Sequence, residues 1–364
     1  MYAAWTFAPI VSMTSRGRGV AWVAVEALMR WAVVMIVLGV LAAGCAGEAQ
    51  QAGTLPVPAT SEPTSSDAAT TATAAPAATA GVVEDLVYRS AVGGLGPGLV
   101  DVWASPGGEG GPVVVLLPGG GATRDDYREL AGATAERGAA VFVPDWGNGE
   151  PFTRSTRDDL AAMVEGASCA VSYALAHAVE YGGDPERLVL LGHSAGAMVA
   201  AVIGLRPATP IPECAAAVTP FRVGGMVLWE GDWMLIHPGW DRQGDALPSV
   251  METITPWAWL SGGPATSVVL ITTAARESRC GMTAPGDPYW LRDPDGRFRE
   301  QLEALGALAD GCIDVGETNA MLAAAMEEQG FDVRELFLEE STHDYLSRHD
   351  QALLVVETIA IADR

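Results

Sequence analysis

Ser194 stands in Gly192-His193-Ser194-Ala195-Gly196, at the end of the apolar run Leu188 to Leu191. A serine hydroxyl is a weak nucleophile until a base takes its proton, and it must be presented on a sharp turn to reach a substrate. The G-x-S-x-G spacing meets the second need. On a strand-to-helix turn the serine backbone is strained, and side chains two residues away on either side would crowd it. Gly192 and Gly196 remove those side chains. The following AGAMVAAVIGL reads as a helix whose first N–H groups face developing negative charge. A second feature is Pro118-Gly119-Gly120-Gly121, directly after the apolar Val113 to Leu117. Attack on a carbonyl creates an oxyanion, and backbone N–H groups stabilise it without reorganising. Glycines allow the close approach that would turn the N–H groups of Gly120 and Gly121 inward, with the N–H of Ala195 completing the set. The run lacks the G-x-G-x-x-G spacing of a dinucleotide-binding turn.

A base and an acid complete such chemistry. His343 lies in EESTHDYL, after the strand-like Val333 to Leu338 and before a closing helix. The other histidines are His177 in a helix, His193 inside the serine turn, His237 in a loop-rich stretch and His349 past the site. Among them His343 is the candidate base. Glu277, in TTAARESRCGM beyond the strand Ser267 to Thr272, is the best-placed acid. Asp287 and Asp293 lie further along, and Asp232, after the preceding strand, is the other serious candidate. Arg276 and Arg279 offer Glu277 a competing surface ion-pair role, which would be worth little.

These residues need a scaffold. Glu84 to Ser90 and Leu99 to Ala104 predict an opening strand pair. Val113 to Leu117 and Ala139 to Val143 predict buried parallel strands, with a helix over Tyr127 to Arg137 between them. Leu160 to Glu180 predicts a long Ala-rich helix, and YGGDPERL turns the chain into the strand before Ser194. Gly225 to Trp229 predicts the next strand. Leu302 to Leu308 and Thr318 to Gln329 predict late helices. Strand, helix and strand in alternation give a doubly wound α/β pattern.

The stretch LLPGGGATRDDYRELAGATAERGAAVFVPDW, followed by YGGDPERLVLLGHSAGA, resembles the α/β-hydrolase carboxylesterases, nearest the hormone-sensitive-lipase-like and small-ester esterases. VDVWASP resembles their early strand. The resemblance covers about Val100 to Leu205 well and the rest loosely. It implies an α/β-hydrolase fold, with a central, mostly parallel eight-stranded sheet, helices on both faces and a Ser-acid-His triad. The family pattern has His-Gly-Gly-Gly where this chain has Pro118-Gly-Gly-Gly. Proline fixes φ but supplies no side-chain hydrogen bond.

Not all 364 residues belong to that scaffold. Arg16, Arg18 and Arg30 precede the apolar Trp31 to Gly44, and Cys45 closes LAAGC. This reads as a signal peptide over residues 1–44 with a processing site at the Cys45 junction. The apolar run is short of the roughly 20 residues of a comfortable membrane span. LAAGC resembles the lipobox of bacterial lipoproteins, with Ala42 where a large aliphatic residue is usual. Lipidation of Cys45 is the first choice, and simple release or a retained anchor through Ala21 to Leu28 are the alternatives. Residues 45–80 are Ala, Thr, Ser and Pro with almost nothing to bury, so they predict a disordered tether. Residues 81–364 fit one large domain, with a Trp-, Pro- and Gly-rich insertion over about 230–264. Its Trp233, Trp240, Trp257 and Trp259 suit either an apolar pocket wall or a local mini-core.

Removal of residues 1–44 moves the formal charge from −24 to −26, and the chain has no lysine. Such a surface repels nucleic acid and anionic headgroups. The expected partners are therefore a small-molecule ester and, only through the N-terminal anchor, a membrane outside the cytoplasm. The sequence does not give the oligomeric state. Cys169, Cys214, Cys280 and Cys312 form no C-x-x-C pair; in an exported chain they predict two disulfides, with Cys280–Cys312 the favoured pair. Buried free thiols are the alternative. The chemistry predicted is ester hydrolysis through an acyl-enzyme, without metal or organic cofactor. Peptidase and thioesterase chemistry use the same machinery, and an inactive surface-displayed binding module is the rival.

Overall fold

In the computed structural model the continuous apolar runs become the central strands of one sheet. The structure describes residues 81–91, 96–107, 110–149, 157–206, 211, 214–216, 221–231, 233, 256, 259–260, 266–273, 278–280, 308–309 and 312–362. The signal and tether segments expected over residues 1–80 lie outside them. The strands are β1 (Val82–Arg89), β2 (Gly98–Trp103), β3 (Gly111–Leu117), β4 (Ala140–Pro144), β5 (Gly183–His193), β6 (Gly225–Trp229) and β7 (Ser267–Thr273). Three short strands follow, β8 (Ser278–Cys280), β9 (Leu308–Ala309) and β10 (Cys312–Asp314), and pair in the order β8-β10-β9. The last strand, β11 (Asp332–Leu338), returns to the main sheet.

That sheet has eight strands in the order β1-β2-β4-β3-β5-β6-β7-β11. β2 runs antiparallel to both its neighbours, and the pairs from β4 to β11 are all parallel. The expected mostly parallel, eight-stranded architecture is the one observed. Alternate residues of each strand point to opposite faces. Val113, Val115, Leu190, Leu228 and Leu270 pack in one core with helices α2 (Arg157–His177), α3 (Ala195–Leu205) and α4 (Val315–Glu328). Val114, Leu116, Leu191, Val227 and Ile271 pack in the other with α1 (Arg128–Glu136) and α5 (Arg348–Ile361). Both faces are thus covered, which is why these strands carry no polar alternation. Truncation of the fully buried Leu190 to Ala would cost about 2–5 kcal/mol.

Two segments differ from the sequence reading. β5 begins at Gly183, inside the expected turn YGGDPERL. Gly183 and Asp184 pair with Gly111 and Pro112, and pairing then jumps to Val113 opposite Leu188. Pro185, which has no N–H to donate, falls in that irregularity, where a ladder can accept it. Of the helix expected over residues 302–308, only Leu308 is described, and it starts a strand.

Cys169 is bonded to Cys214, tying α2 to the segment beyond α3. Cys214 also forms a β-bridge with Arg89 at the end of β1. This pair is the complement of the favoured Cys280–Cys312 pair. The backbones of Cys280 and Cys312 lie directly opposite in the β8–β10 ladder, and their side chains are outside the described residues.

Candidate active site

Parallel strands share one direction, so their C-terminal ends share one edge, and the candidate residues collect there. Ser194 follows β5 with φ 53° and ψ −121°, a left-handed backbone that a non-glycine residue holds only under constraint. Its N–H donates to the Trp229 carbonyl at 2.8 Å. A Cβ at Gly192 would meet Ala197 Cα at 2.6 Å, and one at Gly196 would meet the Pro118 carbonyl oxygen at 2.5 Å. Both glycines of the motif are therefore required by close approach.

His343 bridges two partners. Its Nε2 lies 3.1 Å from Ser194 Oγ, and its Nδ1 lies 2.9 Å from Glu230 Oε2. His343 and Glu230 are buried, whereas Ser194 is partly exposed. Burial pushes the Glu230 carboxyl up, but hydrogen bonds from His343 and from Thr273 outweigh it and hold the group below the ordinary glutamate range. Thr273, the last residue of β7, supplies both its N–H (2.7 Å) and its hydroxyl (2.6 Å) to Glu230 Oε1. Every carboxylate oxygen is thus engaged, as a buried charge requires. The N–H of Glu230 donates to Ile271, and its φ of 47° turns the side chain back toward His343.

The carboxylate beside His343 is therefore Glu230, a residue the sequence reading passed over. Glu277, the favoured acid, and Asp232, its rival, both lie outside the described residues, as do Asp287 and Asp293. Its one mark in the sequence is its place as the first residue after the wholly apolar GMVLW, which puts it at the same strand-end edge as Ser194.

His343 is held by its own loop. Asp350, buried at the start of α5, accepts the Ser341 hydroxyl at 2.7 Å and the Glu340 N–H at 2.8 Å. Ser341 Oγ accepts the Ser347 N–H at 3.0 Å, and Ser347 caps α5 through the Asp350 N–H.

The glycine loop follows β3, next to β5. The N–H groups of Gly120 and Ala195 have no protein partner among the described residues and are available to an anion. Gly121 departs from expectation. Its φ of 80° turns its N–H to the Asn148 carbonyl at 2.5 Å, so it is withdrawn from any oxyanion site. Among the described residues no group of three or more His, Cys, Asp or Glu is placed to hold a metal ion.

Residues 114–358, from β3 into α5, match the model of a family described as the alpha/beta hydrolase family. The chain belongs to the α/β-hydrolase family. Two curated relatives carry the name "Probable isoprenylcysteine alpha-carbonyl methylesterase ICMEL1". The one from Arabidopsis thaliana is 36% identical over 120 residues, 32% of this chain and 24% of its own. The one from Oryza sativa subsp. japonica is 38% identical over 120 residues, 32% of this chain and 27% of its own. The chain thus spans about a quarter of their length. Among solved structures, esterase 2 of the planctomycete Thermogutta terrifontis has the same fold. Its native form gives a TM-score of 0.51 at 18% identity, covering 77% of this chain and 90% of that one. Its propionate-bound form gives 0.50 at 18% identity, covering 77% and 92%.

In this α/β-hydrolase the tryptophans of the insertion divide. Trp233 is 1% exposed, and its indole N–H donates to the Asn319 side chain at 2.5 Å, so it belongs to the core. Trp259 is partly buried with the Arg206 guanidinium 5.8 Å from its ring centre. Trp240 and Trp257 lie outside the described residues.

Proposed function

We propose that the protein is a serine hydrolase that cleaves carboxylic esters of small, soluble substrates through an acyl-enzyme. The observation that carries this reading is His343, hydrogen-bonded at one nitrogen to Ser194 Oγ and at the other to the buried Glu230. Family membership supports hydrolytic chemistry, and the names of the curated relatives and of the structural neighbour point to esters.

In this reading Ser194 Oγ attacks the ester carbonyl carbon while His343 Nε2 takes its proton. Glu230 holds the imidazole in the tautomer with its proton on Nδ1 and stabilises the imidazolium. The carbonyl oxygen, now an anion, receives the N–H groups of Gly120 and Ala195, the latter at the N-terminus of α3. The imidazolium protonates the leaving alcohol. Water, deprotonated by His343, then attacks the acyl carbon, and Ser194 departs with the proton returned. Sequence features further support action outside the cytoplasm, tethered through a lipidated Cys45, and the Cys169–Cys214 bond fits an oxidising compartment.

The decisive experiment combines an activity-based probe with an ester series. A fluorophosphonate should modify Ser194 stoichiometrically and not Ser194→Ala. The kcat/KM for p-nitrophenyl esters, measured from acetate to palmitate, should peak at short chains of about two to six carbons. Each methylene beyond the preferred length is worth about 1–3 kcal/mol, roughly 10- to 200-fold, so kcat/KM should fall steeply past the peak. A folded protein with neither labelling nor turnover would defeat the reading, and a maximum at palmitate would defeat its small-substrate part.

A further inference from the structure

Pro118, at the head of the glycine loop, has no N–H and no polar side chain, so the loop must be held from elsewhere. Trp146 Nε1 donates to the Pro118 carbonyl at 3.0 Å. Asn148 Nδ2 donates to the Gly119 and Ala122 carbonyls, both at 2.8 Å. These braces all come from the segment after β4. One other brace reaches the serine turn itself. The Gly119 N–H donates to Tyr127 Oη at 2.9 Å, and Tyr127 Oη lies 2.6 Å from His193 Nδ1. His193 is the residue before Ser194.

The proton positions follow. Tyr127 Oη accepts from Gly119, and with its own hydrogen directed at His193 Nδ1 that nitrogen is the acceptor of the pair. In that arrangement His193 is neutral with its hydrogen on Nε2, a buried atom without a hydrogen-bond partner among the described residues. Burial first, and the neighbouring His343 second, drive its pKa down to about 3 and keep it so. Tyr127 is itself buried, which holds its phenol protonated. The peptide plane between Gly119 and Gly120 is fixed in turn. A trans peptide sets its C=O and N–H in opposite directions. With the Gly119 carbonyl held on Asn148, the Gly120 N–H faces away from Asn148. A Cβ built at Gly119 would stand 3.4 Å from both Ser194 Cβ and Tyr127 Oη, and 3.1 Å from His193 Nδ1. The loop, the phenol and the serine turn are therefore packed as one unit.

We propose that Tyr127, through its hydrogen bonds to the Gly119 N–H and His193 Nδ1, is a positioning residue that sets the oxyanion-binding N–H of Gly120 relative to Ser194. The role rests on the ester-hydrolase reading and refines it. Tyr127 touches neither substrate nor the reacting atoms. It acts on charge that exists only in the transition state, so its removal affects kcat and spares KM.

The test is Tyr127→Phe, which keeps the ring and deletes the hydroxyl. Loss of a whole oxyanion donor costs 10²–10³ in rate, so misplacement of one should lower kcat about 10- to 100-fold with KM within about threefold. Affinity for a trifluoromethyl ketone, whose adduct with Ser194 carries the oxyanion, should fall by the same factor as kcat/KM. The pH profile of kcat/KM should be unchanged, because His343 and Glu230 are untouched. If Tyr127→Phe does not fold, His193→Ala, which removes the proton acceptor and keeps the phenol, should show the same parallel loss. Wild-type kcat/KM in a folded variant, or a rate loss with unchanged ketone affinity, overturns the role while leaving the esterase reading in place. No turnover by the unaltered protein removes both.

Discussion

Glu230 Oε2 lies 2.9 Å from His343 Nδ1, although 113 residues separate them in the chain. The contact is made across the sheet edge, from the end of β6 to the loop after β11. It bypasses β7, whose terminal Thr273 serves the same carboxylate from the other side.

Glu230→Gln should therefore keep the fold and lower kcat by on the order of 10³–10⁴, because the imidazolium loses its counter-charge and its tautomer is no longer enforced. Glu277→Gln should stay within about threefold of wild type. Steady-state hydrolysis of p-nitrophenyl acetate by the two variants checks this, and the opposite ranking would return the acid role to Glu277.

Acid should destabilise the protein through His193 before it does so through carboxylates. The folded pKa of His193, about 3, lies below the ordinary histidine value of 6.5, so the unfolded chain binds the extra proton between those limits. Stability from keeping His193 neutral is complete above pH 6.5 and declines as pH falls toward 3. Linkage puts the loss between pH 7.5 and 5.5 at about 1.4 kcal/mol. Glu230, held below its ordinary range, adds a second loss that begins only near the glutamate range and runs down through its folded pKa. Urea unfolding at the two pH values should show the difference, and His193→Gln should flatten it. An equal slope in the variant would show that other groups carry the acid response.

Cys169 and Cys214 close a loop of 45 residues. Chain-entropy arguments give such a cross-link about 4 kcal/mol at most, and measured values are commonly 2–4. Cys214→Ala should lower unfolding stability by about that much, with kcat little changed, since neither cysteine touches the site. An unchanged denaturation midpoint would show that the bond adds nothing to the native state.

The sequence around LAAGC predicts that the mature chain starts at Cys45 and carries lipid. Mass spectrometry of the membrane fraction from the native host should find an acylated N-terminal Cys45. A mature chain that begins elsewhere without lipid would remove the tether from the proposal.

Much of the fold was legible because buried parallel strands write themselves as unbroken apolar runs. VVVLL, AVFV and GMVLW each appear within two residues of their observed limits. The glycine-flanked turn at Ser194 was legible because backbone geometry demands small residues at fixed spacing, and the placement of His343 because it follows the last strand. The carboxylate beside His343 was not, since any carboxylate after either of two adjacent strands can reach the same imidazole, and chain order does not say which. Gly121 was misread for a different reason. Three consecutive glycines give no hint of which N–H is spent on Asn148, a partner 27 positions away. The bracing roles of Tyr127, Asn148 and Thr273 are likewise long-range pairings that no local pattern announces.

Ser194 and Glu230 are joined by a single peptide unit: the Trp229 carbonyl that receives the Ser194 N–H is bonded to the Glu230 nitrogen. Ser194 and Glu230 are thus held at the ends of adjacent paired strands and stay together while the sheet persists. His343 hangs instead from a loop whose hold is Asp350 at the foot of α5. On warming, that loop can open at a lower free-energy cost than the sheet, as locally tethered segments do. Heat should accordingly abolish the proposed ester hydrolysis reversibly several degrees before the protein melts, with activity returning on cooling so long as the melting temperature has not been crossed.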